Sequence, residues 1–184
     1  LVTGATLAAT TGFALAGTYT IDLTGVESHE NFGGATNHWV VTDIGVGSEV
    51  VGLEWIDVVG TGGGGPSWGN EMNMYLEAGS VATGSGGINT QFFPDDGGAT
   101  AGGTWGPASG GSSTYLIDNG ASFVSVDGDI RIEWYESYDD GVVLPQDAHY
   151  DGGTVIVTYN EIPAPGALAL LGLAGIAGTR RRRA

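Results

Sequence analysis

Apolar and polar residues alternate along much of this chain with the two-residue period of strands. From Thr18 to Leu23, Tyr19, Ile21 and Leu23 fall on one side and Thr18, Thr20 and Asp22 on the other. Gly153 to Tyr159 sets Val155, Val157 and Tyr159 against Thr154, Ile156 and Thr158 in the same way. His38 to Ile44, Val50 to Val59, Met72 to Leu76, Tyr115 to Ile117, Ser122 to Val126 and Asp129 to Tyr135 also read as extended. These runs are rich in valine, isoleucine, tryptophan and tyrosine. Between Gly17 and Pro165 no segment holds an i, i+3, i+4 apolar pattern between helix caps. Short strands separated by turn residues predict an all-β fold over residues 17–160: an antiparallel β-sandwich, jelly-roll-like in type. Trp39, Trp55 and Trp134 lie inside strand patterns and are expected in its core.

The alternation weakens between residues 61 and 120, which hold 17 of the chain's 35 glycines. Gly62 to Gly65 and Gly102-Gly103 are too free in conformation for sheet interior. This stretch is expected to form long surface loops, either functional or spacers of low complexity. Trp68 and Trp105 fall within it. An aromatic ring in such a loop can stack on a sugar, and Tyr138 and Tyr150 are further candidates, with Asn70, Asp95 and Asp96 as hydroxyl partners. Alternatively, each tryptophan folds back and caps an open end of the sandwich.

The two ends follow neither pattern. Leu1 to Ala16 is uncharged, apolar and rich in small residues, and ends in Ala14-Leu15-Ala16, the small-x-small pattern cut by signal peptidase. Residues 1–16 are therefore expected to be a signal-peptide remnant, with the mature chain starting at Gly17; a first strand is the alternative. At the other end Pro163-Ala164-Pro165 precedes the fourteen-residue run Gly166 to Thr179, which contains no charge. Arg180, Arg181, Arg182 and Arg183 follow, and Ala184 is last. As a helix that run would extend roughly 21 Å, short of the ~30 Å hydrocarbon core but long enough for a marginal span if the arginines snorkel. The arginines would hold their side in the cytoplasm and leave the rest of the chain outside. An amphipathic or buried C-terminal helix is the alternative.

The tail, residues 161–184, resembles the C-terminal sorting signal of PEP-CTERM proteins, the exported bacterial proteins processed by exosortases. The central glutamate of that family's Pro-Glu-Pro motif is replaced here by Ala164, with Glu161 just upstream. The resemblance implies a transient inner-membrane anchor, removal by a membrane-embedded exosortase, and delivery to the cell surface or the extracellular matrix of a biofilm. It covers the tail alone and implies no activity for residues 17–160.

Charge narrows the partners. From Gly17 to Pro165 one base, Arg131, stands against all 21 acids, and lysine is absent from the whole chain. Such a body repels nucleic acid and anionic membrane. Without cysteine it has neither disulfides nor a thiolate metal site. Asp95-Asp96-Gly97, Asp127-Gly128-Asp129, Asp139-Asp140-Gly141 and Asp151-Gly152 bring carboxylates to glycine turns, as calcium sites do, although Asp-Gly is equally ordinary turn chemistry. No cofactor is required, and calcium would be structural. Catalytic signals are weak. His29-Glu30-Asn31 lacks the second histidine of a zinc protease motif, Gly33 standing in its place. Glu54 and Glu133 each precede a tryptophan. They would form a glycosidase dyad if their strands were neighbours, or else face solvent between core tryptophans. The expectation is an exported, acidic, non-enzymatic protein of the cell surface or matrix, structural or adhesive and associated with extracellular polysaccharide. A carbohydrate- or calcium-binding module is the alternative, and a glycan hydrolase is a third.

Overall fold

The computed structural model describes residues 15–62, 68–94, 102–112, 123–138 and 147–162. The expected strand Tyr115 to Ile117, the C-terminal hydrophobic helix and the sorting signal lie outside these residues. So do Ala14, Asp95, Asp96, Asp139 and Asp140. Among the described residues the structure is all-β, with a three-residue 3-10 turn (Gly69–Glu71) as its one helical element, and no helix is long and apolar enough to cross a membrane.

Among the described residues ten strands form two antiparallel sheets. In chain order they are β1 (Leu15–Asp22), β2 (Glu27–Ser28), β3 (Trp39–Asp43), β4 (Glu49–Gly62), β5 (Met72–Ala78), β6 (Ile88–Gln91), β7 (Thr104–Ser112), β8 (Phe123–Val124), β9 (Asp129–Glu136) and β10 (Ala148–Glu161). The first sheet runs β1-β10-β4-β7, with β2 added to β10 and β8 to β4; the second runs β3-β9-β5-β6. Alternation selects the inner faces. Ile21, Val50, Leu53, Trp55, Val58, Val155 and Val157 from the first sheet meet Met72, Met74, Leu76, Ile88, Ile130, Ile132 and Trp134 from the second in one cluster. Phe92 ties the sheets together, its ring 5.8 Å from Trp55 and 5.6 Å from Tyr150.

The Gly-rich stretch departs from expectation. Met72 to Leu76 is strand as expected, within β5, but β6 and β7 also form where loops were expected, and β7 (TWGPASGGS) pairs along β4 despite its glycines and proline. Close approach accounts for one of these glycines: a Cβ on Gly110 would lie 2.7 Å from the Trp55 ring. Glycine here makes room for a tryptophan beneath the strand, a use of the residue that composition does not separate from flexibility.

The outer face of the second sheet is covered. β9 is buried along nearly its whole length, because residues 29–37 and 79–87 fold back over it and over β5. Sheets buried on both faces lose simple alternation, and Asp129 to Glu136 has hydrophobic and charged residues buried side by side.

Candidate functional site

The covered face of the second sheet carries the densest polar chemistry of the described residues. Register sets it out: Trp39, Glu133 and Tyr75 lie in one row across β3, β9 and β5, and Arg131 and Glu77 in the next. Both glutamates are fully buried, and both hold loops. Glu133 Oε1 accepts the Gly33 N–H at 2.7 Å and Asn37 Nδ2 at 2.8 Å, and its other oxygen accepts a bond from the Arg131 guanidinium. Asn37 closes its own loop, taking the His29 and Glu30 amides at 3.1 and 2.9 Å and donating to the Asn31 carbonyl. Glu77 accepts the Thr83 amide, the Thr83 hydroxyl at 2.6 Å and the Gly84 amide at 3.0 Å. Buried carboxylates are costly unless saturated with donors, and here backbone amides and the body's one arginine supply them.

Arg131 is also held between rings. Its guanidinium carbon lies 5.8 Å from the centroid of Phe32 and 5.3 Å from that of Trp39. Phe32 itself stands edge-on to Tyr75 at 4.8 Å and Tyr135 at 5.6 Å. Burial pushes the Tyr135 hydroxyl above its ordinary value, against the Asn89 side chain that accepts its hydrogen bond.

Trp39, expected in the core, is 50% exposed: it lies in a strand, but on an edge strand and with the parity of the outer face. Trp105 (6% exposed) and Tyr150 (fully buried) have no ring face open to a sugar: Trp105 takes the folded-back alternative, and the sugar-stacking expectation for Tyr150 is corrected. Trp105 packs near Phe93 and against Gly62 and Gly69, where a Cβ would come within 2.9 and 2.7 Å of its indole. Trp68 is half-buried beside the 3-10 turn, its N–H given to Glu71, and Tyr138 is exposed. Ala16 and Gly17 pair with Asn160 and Tyr159 inside β1, so a cut between them would shorten that strand at its end.

Glu54 is exposed on β4 in the first sheet, and Glu133 is buried on β9 in the second. They are not strand neighbours, and Glu133 does not face solvent. The loop that buries it is a tertiary contact one hundred residues away in sequence. Asp127 accepts the Asp129 amide and the Ser125 hydroxyl as a turn residue, while Asp151 accepts Thr61 Oγ1 at 2.6 Å and faces His149 at 3.2 Å. Among the described residues no three acidic or histidine side chains converge in a way that could hold a metal. Sequence reasoning missed Arg131, Glu77, Asn37 and Phe32. A lone base in so acidic a body was the one available signal.

Comparison with known proteins gives little to set beside this geometry. No family model matches the chain, and no curated protein does. Two solved structures are similar at a low level. One is an Aeromonas sobria serine protease with its chaperone (11% identity, TM-score 0.37, spanning 81% of this chain and 27% of that one). The other is the dimeric latent PorU of Porphyromonas gingivalis (10% identity, TM-score 0.37, 86% of this chain and 14% of that one). The chain thus spans under a third of either, and neither likeness carries a functional argument.

Proposed function

We propose that this is an exported, non-catalytic protein of the cell surface or extracellular matrix, sorted by an exosortase and associated with extracellular polysaccharide. The observation that carries the reading is the order at the C-terminus: β10 ends at Glu161, and Pro163-Ala164-Pro165, the uncharged run and Arg180 to Arg183 follow in the sequence. A cut between Pro163 and Gly166 would release the body without removing any paired strand residue. The saturation of Glu77 and Glu133 supports a scaffold: both carboxylates are committed to holding loops, which leaves neither as an acid or base. Strand order supports the finer, jelly-roll reading. With the two-residue strands set aside, β1, β10, β4, β7 and β3, β9, β5, β6 are the two sets that rolled-up Greek keys would produce.

The test is processing. The untagged precursor is expressed with and without a PEP-CTERM exosortase, and its C-terminus is measured by mass spectrometry. The expected result is a new C-terminus between Pro163 and Gly166 only when the protease is present, with the released protein in the polysaccharide fraction. A chain still ending in Arg183-Ala184 in both strains sinks the sorting step. A correctly cut protein found free of polysaccharide sinks the association.

A further inference from the structure

Trp39 is out of place as a structural residue. It is 50% exposed, in a chain whose Trp55, Trp105 and Trp134 are all buried. Exposure forgoes the gain of burying a large aromatic, and this ring is also stacked from behind. One face rests on the Arg131 guanidinium at 5.3 Å. Arg131 is backed by Phe32 and bonded to Glu133, which is clamped by Gly33 and Asn37. Phe32, Arg131 and Trp39 thus form a braced stack with half of the last ring in water.

The backbone beside the ring lies at a sheet edge. Trp134 donates its N–H to the His38 carbonyl. His38 gives its own N–H to the Glu27 carbonyl at 3.3 Å, and by the alternation of antiparallel ladders Val40 turns its main-chain groups toward β9 while Trp39 and Val41 turn theirs outward. β3 is the edge of its sheet. A flat, rigid aromatic face bordered by outward N–H and C=O groups matches the two sides of a pyranose ring, its C–H face and its equatorial hydroxyls.

We infer that the exposed face of Trp39, braced from behind by Arg131 and Phe32, is a binding site for a neutral polysaccharide. This rests on the polysaccharide-associated reading above and gives it a site and a ligand class. Charge selects the class. The body's excess of acids repels polyuronates and sulfated glycans, and the one nearby cation, Arg131, is only 6% exposed and already bonded to Glu133. Stacking is left as the main attraction, and stacking is indifferent to ligand charge. The rigid brace limits the entropy lost when the sugar binds.

The test uses the full chain and four variants, Trp39→Ala, Trp39→Phe, Trp68→Ala and Arg131→Lys, by affinity electrophoresis in gels containing either a neutral β-glucan or a polyuronate. Thermal melts confirm that each variant is folded; Trp39 is half-exposed on an edge strand, so its truncation is expected to be tolerated. Expected is retardation by the neutral glucan, weakened about tenfold or more in Trp39→Ala, partly kept in Trp39→Phe, and unchanged in Trp68→Ala. Arg131→Lys, which loses the planar brace, should fall between. Equal retardation of Trp39→Ala and the natural chain overturns the site. Preference for the polyuronate overturns the ligand class, and no retardation of the natural chain overturns both. Exosortase processing is read separately on the same preparations, so a failed glycan site and a failed sorting reading give different results.

Discussion

Tyr150 shows how one residue can sit against its own chemistry. It is fully buried, and its hydroxyl has no hydrogen-bond partner among the described residues. Burial raises its pKa well above the ordinary phenol value, and the Glu136 and Tyr135 charges push the same way. A raised folded-state value means that stability is full below about pH 10, the unfolded value, and declines as pH rises toward the folded one. Tyr150→Phe should therefore unfold at equal or higher denaturant concentration at pH 7, with a gain of up to about 1 kcal/mol from removing an unsatisfied hydroxyl. Its stability should also fall less steeply than that of the natural protein above pH 10. A loss of more than about 1 kcal/mol at neutral pH would mean that the hydroxyl has a partner. The tyrosine was legible in sequence as an aromatic beside an Asp-Gly turn. Its burial was not, because Phe92 and β10 meet only in the folded chain.

At the level of elements, the informative cases are a strand that looks like a loop and a loop that behaves like a layer. β7 was hidden because its glycines suit flexibility and tight packing equally. Gly110→Ala should cost roughly 1–3 kcal/mol by driving a methyl into the Trp55 ring, measured by urea unfolding; an unchanged midpoint would show that the strand can move aside. Residues 29–37 are held on the second sheet through Asn37 and Glu133. Asn37→Ala should cost about 1–3 kcal/mol and speed amide exchange at His29, Glu30 and Gly33 while β5 and β9 stay protected. Uniform loss of protection would make the loop part of the same cooperative unit as the sheets. Neither clamp could be read from the sequence, since Glu133 looks like any outward-facing strand residue until the loop arrives.

For the whole molecule, charge and chain ends set the behaviour. With twenty more acids than bases between Gly17 and Pro165, the folded body repels itself. Raising sodium chloride to about 0.5 M shrinks the screening length to a few ångströms and should raise Tm. A Tm that fell with salt would show that the buried pairs around Arg131, rather than surface repulsion, dominate the electrostatics. The two ends of the described chain meet, because Leu15 pairs with Glu161 at the start of β1 and the end of β10. The expected signal peptide and the expected sorting tail therefore join the body at one end of one strand pair, in the sheet that does not contain β3.

Period alone determined the fold class: a two-residue alternation buries one side of a strand, so Ile21, Leu23, Val155 and Val157 could be assigned inward without coordinates. Composition likewise bounded the partners, because net charge does not depend on how the chain folds. Tertiary structure decided which face is inner where both faces carry large side chains, as at Trp39, and whether the outer face is wet or covered. Trp39 and Glu133 are register neighbours on β3 and β9, yet one ring reaches solvent and one carboxylate is sealed. The difference is the segment 29–37, which covers Glu133 and leaves half of Trp39 in water. Such a contact joins residues about a hundred positions apart, and local pattern carries no information over that distance.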